Sequence, residues 1–338
     1  MSTMSGKRVT LRQVISEVRE LEREKWDVTV TWSGLEIRAG RKRLEGVVTD
    51  GPAKGCRFGF TRHGLAWVCD RLGMPVEYVS GLDPKMAARL IAYERKRKKV
   101  DEFDRAFVLR GWRDLVRGVV SPAYVPIDDL EALLALEEAL AGKPVTVRDA
   151  FVGLTRTEVR LTLDRVSSDL GRSRRGKDRA HAGLYFVNSE VGAGSLTLSG
   201  FVFRMVCSNG MIGGGWQPFF RQRHINVKRE EALARFRWAV GEAEQASRQA
   251  MEQLGEAVDR PVKGGARFAL KQLAVRLRLS RQATEELLRC YEWDPHDSLF
   301  GVVNALSRLA RSRPQEERFR LERFAAEVLS RPDEAFAA

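Results

Sequence analysis

The strongest constraint on the fold is a change of hydrophobic period near residue 228. Beyond it, Leu233, Phe236, Val240, Ala243, Ser247, Met251, Leu254 and Val258 recur at steps of three and four, a spacing that a helix gathers onto one face. Before it, runs such as Val159, Leu161 and Leu163 alternate with polar residues, as a half-buried strand requires. Strand-forming and helix-forming stretches follow one another rather than alternating regularly, which predicts an α+β fold. The expected architecture is an antiparallel sheet flanked by helices, with an all-helical C-terminal region. The 233–258 stripe is read as a packing seam, either within the chain or in a homo-oligomer.

Three segments follow from this reading. In 1–60, Thr10 and Gln13 form a capping box before a helix over 11–25. The runs 27–32, 35–39, 44–49 and 56–60 then make a small antiparallel meander. In 61–227, a helix over 64–72 ends at Gly73, a short one covers 75–80, and Asp83-Pro84 opens another that ends in Arg95-Lys96-Arg97-Lys98-Lys99. Two strands lie around Gly111, and Pro126-Ile127-Asp128-Asp129 reads as the start of a helix over 130–141. Strands over 145–151, 158–165, 183–188 and 195–207 come next. A polar stretch, 171–179, reads as a loop between the second and third. In 228–338, further helices are expected near 265–278, 281–292, 298–311 and 315–330.

Charge narrows the function classes. The 338 residues hold 58 Lys and Arg against 45 Asp and Glu, a net +13. Such a balance favours polyanionic partners, above all nucleic acid. Residues 151–227 carry 11 basic and 5 acidic residues, so the excess is densest there. No apolar run reaches the ~18 residues of a membrane span, and the polar N-terminus lacks a signal-peptide core. Four scattered cysteines without a CxxC pair argue against a zinc ribbon or a disulfide scaffold. A cytoplasmic protein with no membrane partner is expected.

Candidate phosphate contacts are Arg172, Arg174, Arg175, Lys177 and Arg179 in the 171–179 segment, and Arg95, Lys96, Arg97, Lys98 and Lys99 at the helix end. Trp216, after a glycine run and near Arg221 and Arg223, is a candidate for stacking on an unpaired base. Two stretches mimic helix-turn-helix spacing, around Gly73 and around Leu279-Ser280. The first is too short, and the second exposes Glu285 and Glu286 to any phosphate. Single-stranded DNA is therefore favoured over a duplex. A rival set, Glu190, Asn209 and His224 with Asn188 nearby, could serve as acid and base; its bland counterpart is a tight turn at Asn188 to Gly192. No HxH or DxD spacing points to a metal, and no GK[ST] follows Gly213-Gly214-Gly215, so neither metal nor cofactor is expected.

Two strings carry a resemblance. One is Gly183-Leu184-Tyr185-Phe186-Val187-Asn188-Ser189-Glu190-Val191-Gly192, and the other Phe203-Arg204-Met205-Val206-Cys207-Ser208-Asn209-Gly210-Met211. With Gly73-Met74-Pro75, the segment 121–129 and Gly301-Val302-Val303-Asn304-Ala305, they resemble the phage/plasmid-like family catalogued as domain of unknown function 932. The resemblance runs over roughly residues 60–330; at Pro122-Ala123 the chain departs from the acidic-basic pair of that pattern. It implies α+β architecture and a cytoplasmic life beside mobile DNA, and it implies no reaction. The leading expectation is a non-enzymatic, mobile-element nucleic-acid-binding protein, with strand annealing or recombination as one specific form. The alternatives are an enzyme acting on nucleic acid or nucleotide through Glu190, Asn209 and His224, and a protein-interaction module of host-takeover type.

Overall fold

The structure, a computed structural model, describes residues 2–4, 9–99, 105–173, 176–204, 209–213 and 219–336. Strand β1 (Ser2–Met4) and helix α1 (Leu11–Glu22) precede β2 (Lys25–Val30), β3 (Leu35–Ala39), β4 (Leu44–Val48) and β5 (Arg57–Phe60). Helices α2 (Arg62–Leu72), α3 (Val76–Ser80) and α4 (Pro84–Arg97) lead to β6 (Phe107–Trp112) and β7 (Leu115–Val120). After α5 (Asp129–Ala139) come β8 (Val145–Val152), β9 (Thr157–Ser173), β10 (Gly176–Asn188), β11 (Leu196–Arg204), β12 (Asn209–Gly213) and β13 (Phe220–Gln222). The remainder is helical: α6 (Arg229–Glu256), α7 (Ala266–Arg276), α8 (Arg281–Trp293), α9 (Leu299–Arg311), α10 (Gln315–Ser330) and α11 (Pro332–Phe336). The fold is α+β with a helical C-terminal region.

The larger sheet is antiparallel throughout its described pairs, in the order β1-β8-β9-β10-β11-β12, with β13 also on β11. Alternation turns Val159, Leu161, Leu184, Phe186, Leu196 and Leu198 to one face. There they bury against α1, α5 and α6 through Val14, Leu133, Leu136, Phe236 and Val240. The helical stripe of α6 thus packs within the chain. It comes close because Gly200 lacks a side chain: a Cβ there would lie 2.7 Å from Ser247 Oγ. That hydroxyl reaches Gly183 O at 2.6 Å and Ala243 O at 2.8 Å. The opposite face carries Glu158, Arg160 and Tyr185, and α10 meets it with ion pairs from Glu322 to Arg160 and from Arg318 to Asp149, each at 3.0 Å.

The second sheet runs β2-β6-β7-β5-β4-β3. The expected meander is present as β3-β4-β5, but β2 leaves it to pair with β6. β5 joins β7 in parallel, a link that needs the long α2–α4 crossover. Trp32, Phe58, Leu65, Leu72, Ile91 and Leu109 form its core.

Two local expectations are corrected. The turn between β6 and β7 falls at Arg113 and Asp114, where Arg113 takes φ 50°. Gly111 lies inside β6, where a Cβ would sit 2.0 Å from the Trp26 ring. The 171–179 stretch is not a loop: β9 continues to Ser173 and β10 starts at Gly176, with Gly176 opposite Ser173. β8 leaves β9 at Leu163 and β11 reaches β10 only at Ala180. Beyond those points, among the described residues, the hairpin continues as a two-stranded ribbon. Polar composition there does not mark the loss of the backbone ladder.

Candidate functional site

The turn that follows β10 lies between the two sheets. Asn188 Nδ2 donates to Ile127 O at 2.9 Å and to Asp129 Oδ1 at 2.8 Å. Ser189 Oγ donates to Thr155 O at 2.7 Å and accepts from Ala193 N at 3.0 Å. Glu190 Oε1 sits 2.6 Å from Arg117 Nη1 and 2.5 Å from Lys25 Nζ, while Oε2 accepts from Asp129 N at 3.2 Å. Arg110 donates to Glu190 O at 2.5 Å and pairs with Asp27 and Asp128, each at 3.0 Å. Lys25 on β2, Arg110 on β6 and Arg117 on β7 thereby grip a turn of the larger sheet. Gly118 permits the approach, since a Cβ there would lie 2.7 Å from Val191 O. His63 Nε2 adds a hydrogen bond with Val191 O at 3.1 Å.

The electrostatics suit a structural bracket. Burial alone would raise the Glu190 carboxyl, but Arg117, Lys25 and Arg110 outweigh it and hold it well below the usual carboxylate range. Burial, and then the charge of Glu190, push Asp129 up to about 7 and Asp128 up to about 6. His224 is lowered to about 4 by burial, so its ring is neutral. Its Nδ1 accepts from Ile127 N at 3.3 Å, and the ring stacks on Tyr124 at 5.1 Å. Tyr124 in turn donates to Ser189 O at 3.0 Å.

The structure thus brings Glu190 and His224 to one loop, buries both, and engages the carboxylate with two cations. It does not bring Asn209 to them. Asn209 pairs opposite Arg204, whereas Thr197, at the other end of β11, pairs with Val187 beside the turn. The seven-residue separation along β11 corresponds to about 23 Å. The acid–base trio is therefore not assembled. Among the described residues, no group of three potential ligands could hold a metal ion.

The basic candidates separate into different surroundings. Arg95 turns inward: it donates to the carbonyls of Leu35 and Trp32 and lies over the Trp32 ring at 5.5 Å. Arg97 pairs with Glu94 at 2.6 Å. Lys96, Lys98 and Lys99 are exposed. Arg179, Arg221 and Arg223 are also exposed and make no ion pair among the described residues. For Arg172, Lys177 and Asn209 only the backbone is described; Arg174, Arg175 and Trp216 lie outside the described residues. Phe220, five residues beyond Gly215, is buried against Phe236 at 5.4 Å. The ribbon and α4 belong to different sheets. Gly176 and Asn188 are the two ends of the thirteen-residue β10, so about 40 Å of strand lies between the ribbon's tip and the junction.

Sequence reading missed the rest of α4. Lys85, Arg89 and Lys96 recur at steps of four and seven; Met86 follows Lys85, and Tyr93 lies four positions after Arg89 and three before Lys96 on the same surface. Met86 is 60% and Tyr93 64% exposed, and Tyr78 on α3 is 60% exposed. Glu94, the acid of this helix, is only 15% exposed at its side chain and faces Arg97. The spacing was available in the sequence; the exposure of the aromatics was not.

Residues 116–326 match a family model described as Domain of unknown function (DUF932). No curated protein matches the chain, and no solved structure does.

Proposed function

The chain belongs to the DUF932 family, and from that premise we propose that it binds nucleic acid, with single-stranded DNA as the favoured ligand. The observation that carries the reading is the outer face of α4. Lys85, Arg89 and Lys96 line it without an ion pair among the described residues, and Met86 and Tyr93 are exposed beside them. From Lys85 to Lys96 the helix rises about 16 Å, a stripe long enough to follow a sugar-phosphate chain. Cations of this kind bind phosphates without reading sequence, and exposed aromatics stack on unpaired bases. The ribbon, with Arg179 exposed and Arg172 and Lys177 on its strands, is the second proposed contact, and Arg221 and Arg223 the third. Strand annealing in the cytoplasm, within a mobile-element setting and by a homo-oligomer, is the specific form of the proposal. The buried junction has no chemical role in it.

The test is fluorescence anisotropy with labelled oligothymidine and with duplex DNA across a salt series. The full chain is expected to prefer the single strand and to weaken steeply with salt. The variant Lys85→Gln/Arg89→Gln/Lys96→Gln, which keeps good helix formers, is expected to lose about tenfold or more in affinity. Equal binding by parent and variant, or affinity indifferent to salt, overturns the reading. The protein-interaction alternative draws on a different observation: Trp238 on α6 is 71% exposed. A Trp238→Ser variant that binds DNA as the parent does, but loses a protein retained by the parent after nuclease treatment, would favour it.

A further inference from the structure

A second basic site lies in the C-terminal helical region, away from α4. A cleft of about 480 Å³ opens between α8, α9 and the segment that joins α9 to α10, and Arg289, Arg308, Arg313, Glu286, Trp293 and Cys290 line it. Its acid is already engaged, since Glu286 pairs with Arg313, which also lies 3.6 Å from Glu317. Arg308 lies over the Trp293 ring, 3.5 Å from its centroid. A stacked guanidinium is held in place through its face, while its N–H fork stays available in its own plane. Arg289, across the cleft, is exposed and makes no ion pair among the described residues. The negative end of α9 favours a cation at Arg308, which is in the last turn of that helix. It does not account for Arg289, which is not in the last turn of α8.

We propose that this cleft binds a phosphate group, with Arg289 and Arg308 as its donors; Arg313, held by Glu286 and Glu317, completes the wall and adds no free charge. Guanidinium forks match phosphate oxygens in pairs, and two of them without an ion pair among the described residues, Arg289 and Arg308, can share the several oxygens of one phosphate as they could not share a single carboxylate. The cleft has more room than a free phosphate needs and lies within the range of small-ligand sites. The phosphate is therefore expected on a nucleotide, either free or at the end of a nucleic-acid chain.

The experiment is calorimetric titration of the full chain with thymidine 5′-monophosphate, thymidine and inorganic phosphate. The monophosphate is expected to bind, thymidine not to, and inorganic phosphate to compete. Arg289→Gln/Arg308→Gln should weaken the monophosphate at least tenfold while the unliganded melting temperature holds. Because Arg308 is packed on Trp293, Arg289→Gln alone, at an exposed position, is the variant that keeps the test open, with a loss of about threefold or more expected. Oligonucleotides with a 5′-phosphate or a 5′-hydroxyl separate the two sources. Preference for the phosphorylated end assigns a chain terminus, and indifference to it beside tight monophosphate binding assigns a free nucleotide. Thymidine binding as tightly as its monophosphate, or unchanged binding in both arginine variants, overturns the proposal. The α4 triple variant should retain monophosphate binding, so failure of this site and failure of the α4 face are read separately.

Discussion

Replacing Glu190 by glutamine removes the carboxylate that Lys25 and Arg117 share. Lys25 keeps Glu22 at 2.5 Å, but Arg117 is left buried with only the carbonyls of Gly111 and Leu154. Breaking a buried pair from one side costs about 3–5 kcal/mol, and urea unfolding of Glu190→Gln should show a loss of that order. The residue read as a catalytic candidate is thus expected to act on stability. His224 gives a pH-dependent counterpart. Its folded pKa, about 4, lies below the ordinary 6.5, so its stability contribution is present above the unfolded value and is lost as pH falls from 6.5 towards 4. Asp128 and Asp129, raised to about 6 and about 7, act in the opposite sense and favour the folded state at low pH. The difference between parent and His224→Gln isolates the histidine. The parent should lose up to about 3 kcal/mol relative to the variant between pH 6.5 and 4, and parallel unfolding curves through that window would contradict the assignment. Sequence could show the turn residues Asn188 to Gly192, but not their partners. Asp128 and Asp129 read correctly as a helix start and still hid their second role, because Arg110 and Asn188 reach them only through tertiary packing.

Elements were far more legible than partners, for a physical reason. The capping box at Thr10, the αL glycine at Gly73 and proline after Asp83 are local signals that fix helix ends whatever surrounds them. Helix α6 follows the apolar spacing closely, since it buries one stripe, whereas α9 is buried on nearly every side and is marked by its apolar content instead. Failures lie where pairing is non-local. β2 prefers β6 to β3, β5 finds β7 in parallel, and the ribbon extends through a polar stretch that alternation alone could not mark as strand. The α6 stripe also concealed how close the helix lies to its sheet. Gly200→Val places a branched side chain, well suited to a strand, where a Cβ would already lie 2.7 Å from Ser247 Oγ. Overpacking of this kind costs about 1–3 kcal/mol. Thermal melting should fall accordingly, even though the strand propensity of the position improves.

At the scale of the whole molecule, a net +13 says that a polyanion is attracted but not where it lies. Many surface arginines are paired at home, among them Arg62 with Glu77, Arg113 with Glu24 and Arg267 with Glu292, and these contribute little to a distant ligand. The effective charge is the unpaired part, and its placement on α4, on the ribbon and beyond β13 divides it among separate elements. Salt dependence can count that part. Each phosphate contact to a single strand contributes about 0.7 to the slope of log K against log salt concentration. If Lys85, Arg89 and Lys96 each neutralise one phosphate, the triple glutamine variant should have a slope shallower by about 2 than the parent. Arg113→Gln, which removes a cation already paired with Glu24 at 2.6 Å, should leave the slope unchanged. Equal shifts in both variants would mean that binding senses total charge alone, and the α4 stripe would lose its claim to be an interface.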